Sequence, residues 1–166
     1  MLINMFYGQL FKSLFEYAEE LPTGVLPVPV RVVCDDFATG GRIADFPEYI
    51  SIFREKGISV NLLIQSESQL AAMYGEDAAT TIINNCDTYI YMGGMDLLTC
   101  RSISQRINKP LEDVLYMPIG KEYIMRRGQK PIAADRCDVM SRQDYREITD
   151  AYDQHISGQH YKRQAG

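Results

Sequence analysis

The chain has no G-x-x-x-x-G-K-[ST] segment, the glycine-rich loop whose backbone amides cradle nucleotide phosphates. It has no C-x-x-C pair. Its four cysteines (Cys34, Cys86, Cys100 and Cys137) lie far apart, which excludes a zinc ribbon and a disulfide scaffold and fits a reducing cytosol. It has no basic excess: the formal net charge is −5 over 166 residues, so autonomous tight DNA binding is not expected, and basic residues cluster only locally, as at Arg126-Arg127 and Lys162-Arg163. No apolar run approaches the roughly 20 residues of a membrane span. Lys12, Glu16, Glu19 and Glu20 break up the first twenty residues, and no basic segment precedes them as in a secretory leader. The chain therefore reads as soluble and cytoplasmic. Histidine is scarce, and His155 and His160 have no metal-ligand spacing, so both are read as surface residues. No internal repeat or low-complexity segment is present.

What is there suits one globular domain with a real core, since 46% of residues are hydrophobic and 23% charged. Leu2, Met5, Phe6, Leu10, Leu14, Phe15 and Ala18 recur at helical steps, with Asn4 a candidate cap and Pro22-Thr23-Gly24 the end. A strand follows at Val30–Cys34 and a loop at Thr39-Gly40-Gly41-Arg42. A helix runs from an Asp45 cap, with Glu48 in the capping-box position, to Lys56, and Gly57 closes it. Ile58–Ile64 is a second strand. Ser66 with Gln69 caps a helix ending at Gly75, and Glu76–Asn85 is another. Thr88–Met92 is a third strand, closed by Gly93-Gly94. Asp96 caps a helix with Leu98, Ile103 and Ile107 on one side, and Pro110 opens a short helical turn. Glu122–Met125 and a segment after Gly128-Gln129-Lys130-Pro131 form a hairpin. Ser141 and Asp144 begin a last helix that buries Tyr145, Ile148, Tyr152 and Ile156. The methionines and tyrosines at Met92, Met95, Tyr116, Met117, Tyr123 and Met125 read as packing residues. Alternating strands and helices predict an α/β fold, a mainly parallel sheet covered on both faces with a C-terminal antiparallel hairpin. Residues 1–140 form the main domain and 141–166 a terminal helix and tail.

Chemistry concentrates at strand ends. Val30–Cys34 runs into Asp35-Asp36, and ligands of open α/β sheets bind beyond the carboxyl ends of strands. Two carboxylates there can divide the holding of Mg²⁺ and the orienting of water, or they form a solvated strand end. Gln65 ends the second strand; its amide either senses a γ-phosphate or satisfies backbone groups at the strand-to-helix change. Arg54 either complements a helix dipole or offers a planar cationic fork to a neighbouring subunit's phosphates. Cys34, inside a strand, reads as a small core residue.

Three stretches together resemble the TraG/VirD4 family of type IV secretion coupling proteins. They are Pro29–Phe37 with Gly41-Arg42-Ile43, Gly57–Leu70 around Leu63-Ile64-Gln65-Ser66, and Asn84–Thr88 leading to Gly93-Gly94. The resemblance spans Leu2 to Asp138. It implies part of a RecA-like ATPase domain from a hexameric protein that brings DNA and relaxase to a conjugative channel at the cytoplasmic face of the inner membrane. Its implied partners are DNA, relaxosome proteins and secretion-channel ATPases, and its cofactors are ATP and Mg²⁺. It makes Asp35-Asp36 the Walker B pair: Asp35 for Mg²⁺ through water, Asp36 catalytic. Gln65 would match the family's strand-end glutamine, and Arg54, eleven residues before it, the intersubunit arginine. Where the family usually has Asp-Glu, the second acid here is one methylene shorter. The phosphate loop is expected upstream of residue 1, so the isolated chain is expected to bind no cofactor and to be inactive. A non-catalytic α/β module contacting relaxosome or secretion components is the alternative. A small α/β hydrolase is a third reading, and it lacks a nucleophile elbow. An open sheet leaves edges, so self-association through the first strand or the N-terminal helix is expected.

Overall fold

A computed structural model describes residues 2–150 and 152. The helix α1 (Leu2–Glu20) is followed by β1 (Val30–Cys34), α2 (Phe46–Ile52) with a 3-10 turn (Phe53–Lys56), and β2 (Ile58–Leu62). Then come α3 (Glu67–Tyr74), α4 (Glu76–Asn84), β3 (Thr88–Tyr91), α5 (Leu97–Ile107), α6 (Leu111–Leu115), β4 (Lys121–Arg126) and β5 (Ile132–Asp135). A second 3-10 turn (Val139–Ser141) and a helix, α7, over 143–150 complete the described chain. The chain divides into two compact units, Met1–Ala134 and Asp135–Gly166.

In the first unit β1 and β2 pair in parallel, in register from Val30↔Ile58 to Cys34↔Leu62. Five residues of β-propensity without a short turn between them can pair this way only through a crossover, which α2 and its 3-10 turn supply. Gly57 closes that crossover with φ 78°, its amide donating to the carbonyls of Arg54 and Phe53. One face of the pair (Val32, Cys34, Ile58) joins Phe11, Ala18, Phe46, Phe53, Leu70 and Ile82 in the main core. Phe11 lies 4.9 Å from Phe53 and 5.7 Å from Phe46 between ring centroids, which is how α1 is fastened down. The opposite face is open: Arg31, Val33, Ser59 and Asn61 are exposed. The expected covering of both faces is therefore not met by the described residues.

The third strand departs from the simplest alternating scheme. β3 pairs antiparallel with β4, Thr88 opposite Arg126 and Tyr91 opposite Tyr123, and β5 lies on the far side of β4. Among the described residues it has no ladder to β1 or β2. This second sheet packs with α5 and α6 around Ile103, Cys100, Val114 and Tyr91.

Several local expectations change. Asn4 lies inside α1 rather than capping it, and its side-chain amide donates to the carbonyls of Gly40 (2.7 Å) and Arg42 (3.5 Å). Asp45 precedes α2 in the left-handed region at φ 55°, so its carboxylate makes no capping bond and only its carbonyl is used, by the Tyr49 amide at 3.0 Å. Pro47 near the helix start leaves one amide fewer to cap. β2 ends at Leu62 rather than Ile64. On α5 the buried stripe is Thr99, Cys100, Ile103 and Ile107, whereas Leu98 is 65% exposed. Five helical steps separate Leu98 from Ile103, about 140° around the axis, too far to share a face. Met92, Met95 and Tyr116 are exposed, while Met117, Tyr123 and Met125 pack in the second core.

In the second unit, Asp138 caps the 3-10 turn through the Met140 amide, and Asp144 pairs with Arg142. Ser141 lies in that turn. Tyr145, Ile148 and Tyr152 are exposed rather than buried. Ile156, His155 and His160 lie outside the described residues. Cys34, Cys86, Cys100 and Cys137 are all free thiols; burial raises the pKa of Cys34, in keeping with a core role. No helix among the described residues is long and apolar enough to cross a membrane.

Candidate functional site

The parallel register decides which residues share a rim. Cys34 lies opposite Leu62, and the ladder runs one step further because the Leu63 amide donates to the Cys34 carbonyl at 2.9 Å. The Phe37 amide then returns to the Leu63 carbonyl at 2.9 Å. Asp35 and Asp36 are the two residues caught between these bonds, so they project as a small loop over the carboxyl end of β1. Gln65 leaves β2 at the same end, two residues past Leu63. The acidic pair and the glutamine thus stand at one rim, as ligand sites on α/β sheets do.

The loop is held by local chemistry. Asp35 Oδ1 accepts from the Asp36 amide at 3.0 Å. Asp36 has φ 48°, left-handed backbone that aspartate tolerates better than most residues, and its carbonyl accepts from the amide and hydroxyl of Thr39. Behind it, Asn4 clasps the Gly40–Arg42 segment so closely that a Cβ on Gly41 would stand 2.7 Å from the Asn4 amide nitrogen. Phe37 and Ala38 are buried beneath, and the Phe37 ring stacks on Tyr74 at 5.7 Å. Both carboxylates are exposed.

Gln65 is exposed as well, and its Oε1 accepts from Gln69 Nε2 at 3.2 Å. Its own amide nitrogen has no acceptor among the described residues. The helix that follows is capped as the sequence indicates, Ser66 Oγ accepting from the Gln69 amide at 3.1 Å. Behind this cap Asp96 Oδ2 collects Ser68 Oγ (2.6 Å), the Thr99 amide (2.9 Å) and Thr99 Oγ1 (2.6 Å). The hydrogen bond from Ser68, with those from Thr99, holds the Asp96 carboxyl below its ordinary range. Thr99 Oγ1 in turn accepts from the Glu67 amide at 2.9 Å, so the starts of α3 and α5 are joined.

Arg54 stands elsewhere. It lies in the 3-10 turn that precedes β2, whereas Gln65 follows β2. Five strand residues intervene, on the order of 16 Å. Arg54 therefore does not meet Asp35, Asp36 and Gln65 in its own chain. Its guanidinium is 3.9 Å from Asp87 Oδ2, and its side chain is 86% exposed. Asp87 Oδ1 is 2.9 Å from Arg127 Nε. Asn4, Gln69, Asp87 and Arg127 thus hold parts of the candidate site without having been singled out for it. Their partners are distant in sequence, except Gln69, which sits one helical turn from Gln65.

The donor set suits Mg²⁺ only as this ion is usually held, by one or two carboxylates with water and substrate phosphates completing the shell. Asp35 and Asp36 supply two such carboxylates, and no group of three or more metal-ligating side chains occurs among the described residues.

Comparison with known proteins agrees with this architecture. The chain is similar to the bacterial conjugative coupling protein TrwBdeltaN70 in its unbound monoclinic form, with a TM-score of 0.68 and 17% identity over 81% of this chain and 36% of that one. The trigonal form with sulphate gives 0.67 and 17% over 78% and 35%. The plasmid coupling protein TrwB in complex with ADP and Mg²⁺ gives 0.63 and 17% over 76% and 34%. This chain thus spans about a third of the length of those structures, and the likeness fixes the fold, a part of the RecA-like α/β architecture. No curated protein matches the chain in sequence. A family model described as the TraM recognition site of TraD and TraG matches residues 29–111, which include β1, the acidic loop, β2, Gln65 and Asp96. With half of its length so matched, the chain belongs to this TraD and TraG family of conjugative coupling proteins, as a C-terminal portion.

Proposed function

We propose that the chain is part of the motor of a conjugative coupling protein, in which ATP hydrolysis drives DNA and relaxase into a type IV secretion channel. The observation that carries this reading is the shared rim: the parallel register places Asp35, Asp36 and Gln65 at one carboxyl end. In this reading Asp35 holds Mg²⁺ through water and Asp36, as the second Walker B acid, orients and deprotonates the attacking water. Gln65 donates its amide to the γ-phosphate. Bound Mg²⁺ supplies charge neutralisation of the phosphates. Arg54, removed from its own rim, serves the site of an adjacent subunit in a ring. The family's description supports contact with the relaxosome protein TraM. Secretion-channel ATPases would dock on the assembled ring.

The chain alone is expected to be inactive, because its sequence contains no phosphate-cradling loop or lysine. Titration calorimetry of this chain with MgATP is expected to give no saturable binding. A dissociation constant below about 100 μM, roughly −5.5 kcal/mol, would overturn that. In a coupling protein carrying both halves, Asp36→Asn, Gln65→Ala and Arg54→Ala should each abolish DNA-stimulated hydrolysis. Mixing Arg54→Ala with Asp36→Asn subunits should restore part of it, and failure to do so would remove the intersubunit role.

The second reading, a non-catalytic module, is favoured by the exposure of the acidic pair and by the family's recognition role. It predicts that Asp35→Asn with Asp36→Asn leaves TraM binding and transfer unchanged.

A further inference from the structure

Arg54, Asp87 and Arg127 come from three separate places: the 3-10 turn before β2, the turn between α4 and β3, and the residue after β4. Each oxygen of the Asp87 carboxylate faces one guanidinium, Oδ1 at 2.9 Å from Arg127 Nε and Oδ2 at 3.9 Å from Arg54 Nη1. The arrangement is two forked cations around one small anion, with a net charge of +1 in an otherwise acidic chain.

The two arginines are held differently. Arg127 is anchored three times: its amide donates to the Asp87 carbonyl at 3.0 Å, its Nη2 to the Asn84 carbonyl at 2.8 Å, and its Nε meets the carboxylate. Of its five guanidinium donors, three have no partner among the described residues. Arg54 touches Asp87 at the outer limit of an ion pair and is otherwise in water. The platforms beneath them are tied together, because Asn85 Nδ2 donates to Ser51 Oγ at 3.1 Å and to the Thr81 carbonyl at 2.9 Å, linking α2 to α4. One guanidinium is thus held by several bonds, the other is largely exposed, and the backbones that carry Arg54 and Asp87 are tied through α2 and α4.

We propose that Arg54 and Arg127 form a binding site for a phosphate group, and that the Asp87 carboxylate is the internal anion occupying it in the free chain. A phosphate carries more charge than a carboxylate and more acceptor oxygens, and it can engage both forks at once. Displacing Asp87 costs little, since exposed ion pairs of this kind are weak and screened by salt. The inference deepens the role proposed for Arg54 and, where the phosphate belongs to a neighbouring subunit's nucleotide, rests on that reading. The same chemistry would accept a nucleic-acid phosphate.

The test uses the full chain at low ionic strength, with the arginine Nε–Hε resonances followed by NMR. Tripolyphosphate and a short oligothymidylate are the two probes. The expected result is that at least one probe shifts Arg54 and Arg127 together, with millimolar affinity. Asp87→Asn should tighten binding by up to about fivefold, the measure of an exposed ion pair. Arg54→Gln and Arg127→Gln should each weaken it, and Arg127→Lys, which keeps the charge but loses the fork, should weaken it as well. A response to tripolyphosphate alone assigns the site to nucleotide phosphates, and a response to oligothymidylate alone or to both assigns it to phosphodiesters in general. No shift of either arginine with either probe, or weaker binding in Asp87→Asn, overturns the proposal. That failure would leave the rim of Asp35, Asp36 and Gln65 untouched, and loss of the hydrolysis reading would leave this binding measurement intact.

Discussion

Asp36 illustrates how a single backbone angle constrains which residue can stand at a candidate site. At φ 48° it occupies the left-handed region, where a short polar side chain costs least and a β-branched one costs most. The loop that requires this angle is fixed on both sides, by the return of the Phe37 amide to Leu63 and by the two bonds from Thr39. Of the two acids, aspartate is the one that this turn accepts more readily than the longer glutamate. Asp36→Asn should therefore leave stability within about 0.5 kcal/mol of the parent, while Asp36→Val should lose about 1–2 kcal/mol. Urea denaturation with equal m-values measures the difference. Equal midpoints for the two variants would mean that the turn does not hold residue 36 left-handed. The asparagine variant would separate this structural cost from the chemical one, since it keeps the turn and loses the charge.

At the level of elements, the joint between α3 and α5 is the best-defined polar feature of the first unit. Asp96 caps α5 and at the same time receives Ser68 from α3, and Glu67 reaches α5 again through a 3.6 Å contact with Arg106. Arg106 also lies 5.3 Å from the Tyr89 ring, and burial and the neighbouring Glu67 carboxylate raise the Tyr89 pKa. Because the folded-state pKa of Asp96 is depressed, its contribution is complete above the ordinary carboxyl value of 3.8 and is lost as pH falls below that toward the depressed value. Asp96→Asn should cost about 1–2 kcal/mol at neutral pH. The gap to the parent should narrow in acid, read by thermal unfolding at pH 7 and at pH 3. A gap that stays constant over this range would exclude a charged cap. Such caps were legible in the sequence, because Ser66, Asp96, Gly57 and Gly75 act within a few residues of themselves. β1, β2 and the rim they create were legible for the same reason: an apolar run ending in polar residues is a local signal. The pairing of β3 with β4, the clasp of Asn4 on Gly40, and the carboxylate shared by Arg54 and Arg127 were not. Each joins segments about thirty or more residues apart in sequence, and nothing in the local pattern names the partner. The expectation at α5 failed at one position only: Ile103 and Ile107 lie on the buried stripe, and Leu98 falls outside it while Thr99 and Cys100 fill its first turn.

For the molecule as a whole, the decisive fact is that β1 and β2 bury one face only among the described residues. Parallel strands are ordinarily covered on both sides, so a two-stranded parallel unit with a bare face is incomplete by itself. Val33 at 58% exposure and Leu63 at 49% put apolar surface on or beside that face, and β1 has no hydrogen-bonded neighbour beyond β2 among the described residues. On α1, Met5 and Phe6 are exposed at the helix start. Apolar area and unpaired strand amides together favour association, each buried side chain contributing about 1.5–3 kcal/mol. The chain should therefore show a weight-average mass by sedimentation equilibrium that rises between micromolar and millimolar concentration. Val33→Lys, which places a charge on the open face without touching the core side, should suppress that rise if the sheet is the contact, and Phe6→Lys if the helix is. Both substitutions are at exposed positions, so circular dichroism should be unchanged and loss of association can be separated from loss of fold. A monomer at every concentration would mean that the twist of the strand pair and the charges of Arg31 and the acidic loop already keep this face from its own kind, leaving it to a different partner.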